Sequence, residues 1–143
     1  MLKALAFAAT LIIIPVAALA DWEFTRWGMT TTEVEKASRY SAVRNGLGYG
    51  CMMQMEGPYT FQGVAFQLIR FCFDDEALLE SVVLLAKANS YGTVERNLQK
   101  AFGLPQSTRS ADKPGPSWID EERRNEIRLS REEGTVLIYR QGP

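Results

Sequence analysis

The chain has 143 residues, with sixteen Lys and Arg against seventeen Asp and Glu and no histidine. A net charge of −1 without any basic tract argues against nucleic acid as the main partner. The missing histidine removes Ser-His-Asp and Cys-His catalytic arrangements and the commonest zinc ligand.

The first twenty residues read as a secretory signal peptide. Met1-Leu2-Lys3 is a short basic start, and Ala4–Leu19 is an apolar run broken only by Thr10 and Pro15. Ala18-Leu19-Ala20 is a small-x-small cleavage site before the charged Asp21, so cleavage is expected between Ala20 and Asp21. The run is short for a bilayer span of about 20 residues. No Cys follows the small residues, which argues against lipid attachment, and no later segment is apolar enough to span. The expected destination is the periplasm or the exterior. The mature chain, Asp21–Pro143, is long enough for a single α+β domain with one core.

The mature part opens on Trp22, Phe24 and Trp27, three large apolar groups that need cover. Thr30 and Glu33 have capping-box spacing, and Met29 and Val34 the spacing of a hydrophobic staple. These predict a helix over about Thr31–Arg44 with Val34, Ala37 and Tyr40 on one face. Asn45-Gly46 stops it, since both residues tolerate the left-handed conformation. Leu47–Glu56 reads as a strand that Gly57-Pro58 breaks. A loop around Tyr59–Gly63 leads to a second strand, Val64–Phe73, rich in aromatic and β-branched residues. The turn Asp74-Asp75-Glu76-Ala77 then gives a third strand, Leu78–Lys87. Ser90–Phe102 is a second helix with an apolar stripe of Val94, Leu98, Ala101 and Phe102, closed by Gly103 and Pro105. A polar loop, Gln106–Pro116, precedes strands near Trp118–Asp120 and Ile127–Leu129. Ile127 and Leu129 alternate with Arg128 and Ser130, as if one face were dry and one wet. Glu132-Glu133-Gly134 turns the chain into a closing strand, Thr135–Arg140. The class is α+β, with two helices packed on an antiparallel sheet. Helix, three strands, helix, two or three strands also suggests a duplicated helix-plus-three-strand unit.

Cys51 and Cys72 are the two cysteines of the mature chain, and in an oxidising compartment they are expected to pair. The chain-entropy model gives a closed loop of about twenty residues roughly 3 kcal/mol of stabilisation. If Cys51 faced Cys72 across neighbouring strands, Met53 would face Arg70 and Met55 would face Leu68. An Arg in the middle of an apolar strand needs a carboxylate, and Glu80 on the next strand is the expected partner of Arg70.

Cys51, Met53 and Met55 on one strand face offer soft sulfur ligands for a copper site, a reading that competes with the disulfide for the thiolate. Asp74-Asp75-Glu76 and Asp120-Glu121-Glu122 are the carboxylate pairs that a small hydrolase would need, with Asp74 and Glu122 its test positions; solvated turns are the alternative. Ser117 lacks an identifiable base. Tyr59 and Phe61, placed at a loop tip, are the candidates for a protein contact.

Trp27-Gly28-Met29-Thr30, followed by Glu33-Val34, resembles the opening of a group of small exported bacterial proteins in which Trp-Gly-Met-Ser/Thr leads into a capped helix. Phe71-Cys72-Phe73-Asp74, Phe102-Gly103-Leu104-Pro105, Trp118 and Ile138-Tyr139 extend the resemblance over most of the mature chain. The helix-plus-sheet plan is similar to that of the β-lactamase inhibitory protein and of the small outer-membrane assembly lipoproteins. The resemblance implies a protein that acts by binding another protein rather than by catalysis. The lipidated Cys of the lipoprotein group is absent, and no functional residue carries over. With the export signal, these features predict a disulfide-stabilised, non-enzymatic module in an inhibitor, immunity or envelope-scaffold role. Its partner is expected to be an envelope or secreted protein, with no cofactor required.

Overall fold

The computed structural model describes residues 21–47, 50–87, 89–106, 115–130 and 135–140. The expected signal peptide and the turn at 132–134 lie outside them, as does most of the polar loop. In chain order the elements are β1 (Asp21–Trp22), β2 (Thr25–Arg26), α1 (Thr31–Ala37), β3 (Val43–Arg44), β4 (Met53–Phe61) and β5 (Val64–Phe73). They continue with β6 (Leu79–Ala86), α2 (Tyr91–Phe102), β7 (Ser117–Asp120), β8 (Asn125–Leu129) and β9 (Val136–Arg140). β1 and β2 form a small ribbon. The other seven strands make one antiparallel sheet in the order β3-β4-β5-β6-β9-β8-β7. This is the α+β arrangement expected. Each helix precedes a meander, and the two meanders meet where β6 pairs with β9.

The capping box forms as the sequence predicts. Thr30 Oγ1 accepts the Glu33 amide, and the Thr30 amide donates to Glu33 Oε2 at 2.8 Å. The helix is only seven residues long, however, and does not reach Arg44. Ser38 ends it by donating its hydroxyl to Glu35 O and accepting the Ala42 amide, a local alternative to helical hydrogen bonding. Arg39 and Tyr40 then turn through positive φ, and Tyr40 stands exposed rather than on a helix face. Asn45 organises the following loop, donating its side-chain amide to Cys51 O and accepting the Leu47 amide.

Three register shifts interrupt the central pairs. In the β4–β5 pair the register shifts between Glu56 and Tyr59, and in the β5–β6 pair between Phe66 and Leu68 and between Cys72 and Phe73. Met53, Met55, Tyr59 and Phe61 lie an even number of positions apart along β4 and share the core face, while the shift in β5 lets Phe66 and Ile69, three positions apart, both be buried. Gly57-Pro58 does not break the strand but sits in the bulge as a cis peptide. A side chain at Gly57 would collide with Phe66 O. The strand then runs on to Phe61. Gln62 and Gly63, both at positive φ, form the two-residue turn into Val64 that strand twist favours.

The core lies on the face that carries the helices. One row crosses six strands: Met53, Phe71, Val82, Ile138, Ile127 and Trp118, each at most 1% exposed. Burial of side chains of this kind contributes about 1.5–3 kcal/mol each. From α1, Val34 enters this core, and from α2, Val94 and Leu98; Ala101, expected on the same stripe, is exposed. Trp118 Nε1 donates to Gly103 O just past α2, and Arg44 donates to Thr31 Oγ1 in α1, which ties both helices to this side. Trp22 closes it with an edge-on contact to the Phe71 ring, and Phe24 with a tilted one.

Candidate functional site

The second face of the sheet has no helix over it among the described residues. Strand alternation puts a second full row there: Val43, Gln54, Arg70, Val83, Leu137, Arg128 and Ser117. The two ends of this row differ. Ser117 and Arg128 are buried, and Arg128 is joined to Glu126 by a 2.7 Å ion pair. Toward β4 the face opens: Gln54, Arg70, Val83 and Leu137 are half-buried, and Val43 at the edge is 52% exposed. Leu68 and Leu85, opposite one another on β5 and β6, continue the half-buried apolar surface. The apolar runs of β5 and β6 therefore serve two purposes. Their alternate residues fill the core on one side and leave an aliphatic surface on the other.

Arg70 sits in the middle of that surface. Its cross-strand neighbours are Gln54 and Val83. Glu80 is exposed, is not opposite Arg70 and makes no ion pair with it, so the expected structural pair does not form. The strand register is the reason: Arg70 pairs with Val83, three positions from Glu80. Arg70 Nε is buried and has no hydrogen-bond partner among the described residues.

Cys51 and Cys72 form the disulfide that the sequence predicts. The register is one residue away from the expected one, with Met53 opposite Phe71 and Met55 opposite Ile69. The bond joins Cys72 on the open face to a residue just ahead of β4. It thus pins the loop that leads into β4 against the margin of the open face. This separates the sulfurs proposed for copper: Cys51 is bonded, whereas Met53 is buried on the helix side and Met55 is packed against the core there. The three do not converge.

Tyr59 and Phe61 are not at an exposed tip. Both lie in β4, Phe61 is 7% exposed, and Tyr59 packs its ring on Trp22. β4 continues through Gly57-Pro58, and its alternation places them on the same face as Met53 and Met55. Burial and the adjacent Glu23 carboxylate hold the Tyr59 hydroxyl well above the usual tyrosine range.

Two of the carboxylates proposed for hydrolysis serve turns. Asp74 Oδ1 accepts the amides of Glu76 and Leu78; Asp120 accepts the amide of Arg123 at Oδ1 and pairs with its guanidinium through Oδ2. Among the described residues no group of three His, Cys, Asp or Glu side chains is placed to hold a metal ion. No described helix is long and apolar enough to cross a membrane.

The open face was missed from sequence because an apolar run alone does not tell which of two faces a helix covers. The signal that pointed to it was the lone Arg70 among apolar residues.

No protein-family model matches the chain, and no curated protein matches it. Among solved structures it is similar to a DUF4309 family protein from Bacillus subtilis, with a TM-score of 0.48 and 12% sequence identity over 78% of each chain.

Proposed function

We propose that this chain is an exported, disulfide-stabilised module that binds another protein through the open face of its sheet and performs no catalysis. One observation carries the reading: a half-buried aliphatic surface, Leu68, Val83, Leu85 and Leu137, that no described helix covers, on a sheet whose other face carries the core. Apolar sheet surface of this kind is characteristic of a binding face. The apolar leader with its small-residue cleavage site and the Cys51–Cys72 bond support an oxidising, exported location. The role fits an inhibitor, an immunity protein or an envelope scaffold. The same reading takes α1 with β4–β6 and α2 with β7–β9 as two copies of one unit. A crystal structure in which the two units fail to superpose would remove that part.

Two measurements test it. The intact mass of protein recovered from the envelope fraction should begin at Asp21 and be two hydrogens lighter than the dithiol. The immobilised mature protein should retain a defined partner from envelope extract. The single variants Val83→Glu and Leu137→Glu should lose it, while Lys100→Glu on the exposed side of α2 should retain it. Hydrolysis of a peptide, ester or glycan by protein that captures nothing would overturn the proposal.

A further inference from the structure

We infer that Arg70 is the specificity anchor of the open face and takes an Asp or Glu carboxylate that the partner presents from within an apolar patch. The inference rests on the docking role proposed above and names the chemistry of the occupant. A guanidinium is retained here at a position whose strand neighbours are Leu68 and Cys72 and whose cross-strand neighbours are Gln54 and Val83. None of these supplies a negative charge. The other arginine of the row, Arg128, already has Glu126 at 2.7 Å, so the charge of that pair is spent within the fold. Arg70 is different: its Nε is shielded from water, with neither a hydrogen-bond acceptor nor an ion-pair partner among the described residues.

An arginine that folding does not satisfy lowers the stability of the free protein. A partner carboxylate would satisfy it. The planar fork formed by Nε and one terminal nitrogen matches the two oxygens of a carboxylate, and the surrounding leucine and valine side chains would exclude water from the pair. Charge complementarity therefore selects an acidic side chain ringed by apolar ones. A purely apolar surface would leave the guanidinium buried and unpaired, and a basic surface would be repelled.

The test selects a random-sequence peptide display library on the folded, disulfide-intact mature protein. Recovered peptides should carry an Asp or Glu flanked by apolar residues. Their affinity should fall about 30-fold or more on Arg70→Met and less on Arg70→Lys, which keeps the charge but not the fork. They should also be lost on Val83→Glu. In the same variant set, Arg70→Met should raise or leave unchanged the urea midpoint of the free protein. A merely structural arginine would lower it, and that result overturns the inference. Peptides that need Val83 but carry no acidic residue and ignore Arg70→Met overturn it too, while leaving the docking face standing. Peptides indifferent to both substitutions overturn the inference and the docking reading together.

Discussion

The Trp27 indole N–H donates to Asn125 Oδ1 at 2.9 Å, across 98 positions of sequence. The same Asn125 donates its amide to Asp21 O at 2.6 Å. One buried side chain on β8 thus holds two points of the segment that leads into α1. Asn125→Leu removes both bonds and leaves the indole donor and the Asp21 carbonyl without their partner. A loss of about 1–3 kcal/mol is expected, read as a lower urea midpoint. Chymotryptic cleavage near Trp22 and Trp27 should increase in parallel.

Reduction of Cys51–Cys72, or the double change Cys51→Ala with Cys72→Ala, should cost roughly 3 kcal/mol for a bond spanning 21 positions. Equilibrium denaturation with and without reductant measures this. The alkylated protein should gain two labels only after reduction.

Gly57 and Gly92 make an internal contrast. A methyl group at Gly57 meets Phe66 O inside the bulge, whereas at Gly92 it meets open space. Gly57→Ala should destabilise by about 1–3 kcal/mol. Gly92→Ala lies in α2 and should stabilise by about 0.5–1 kcal/mol. Thermal melts of the two variants should move in opposite directions.

Glu33 is held below the usual carboxylate range, first by the Thr30 amide and then by the Thr30 hydroxyl. A depressed folded-state pKa stabilises the fold above the ordinary Glu range, and that contribution is lost as pH falls through the folded value. Acid titration should weaken α1 before the sheet. Glu33→Gln should flatten that part of the pH profile, followed by the amide exchange of Val34.

Tyr59 has the opposite sign of linkage. Its hydroxyl is raised by burial and by Glu23. Above the ordinary tyrosine range the unfolded chain ionises while folded Tyr59 does not, so stability should decline as pH rises past about 10. Ultraviolet phenolate titration of the native protein should leave one tyrosine un-ionised where the denatured protein titrates it, and Tyr59→Phe should abolish the difference.

Local signals in the sequence proved reliable where local chemistry decides. Thr30 and Glu33 formed their capping box, Gly103 ended α2, and Leu78–Lys87 became β6, although its start also suits a helix. The failures came from features that act at a distance or by one residue. Ser38 offered the backbone a competing hydrogen bond and stopped α1 well before Asn45-Gly46. β4 ran on through Gly57-Pro58 instead of stopping there, and its alternation carried Tyr59 and Phe61 to the interior. A one-residue difference in register placed Phe71, not Arg70, opposite Met53. Arg128 reads as wet from alternation with Ile127 and Leu129, yet it is buried beside Glu126. The open face was half legible: the residues that form it were recognised as apolar and strand-like, but nothing local tells that the helices take the other side.

The position of β9 has a consequence for when this protein can become itself. Residues 136–140 lie between β6 and β8, not at a rim of the sheet. Until they are in place, the first meander ends in an unpaired β6 and the second in an unpaired β8, two bare edges that invite pairing with any passing strand. The residues before β9 can collapse locally, but the two meanders cannot join into one sheet without it. Joining of the two meanders must therefore wait for β9, with closure coming after each has formed instead of growing steadily from the N-terminus. Loss of residues 136–140 would therefore leave two sticky halves in place of one slightly narrower sheet.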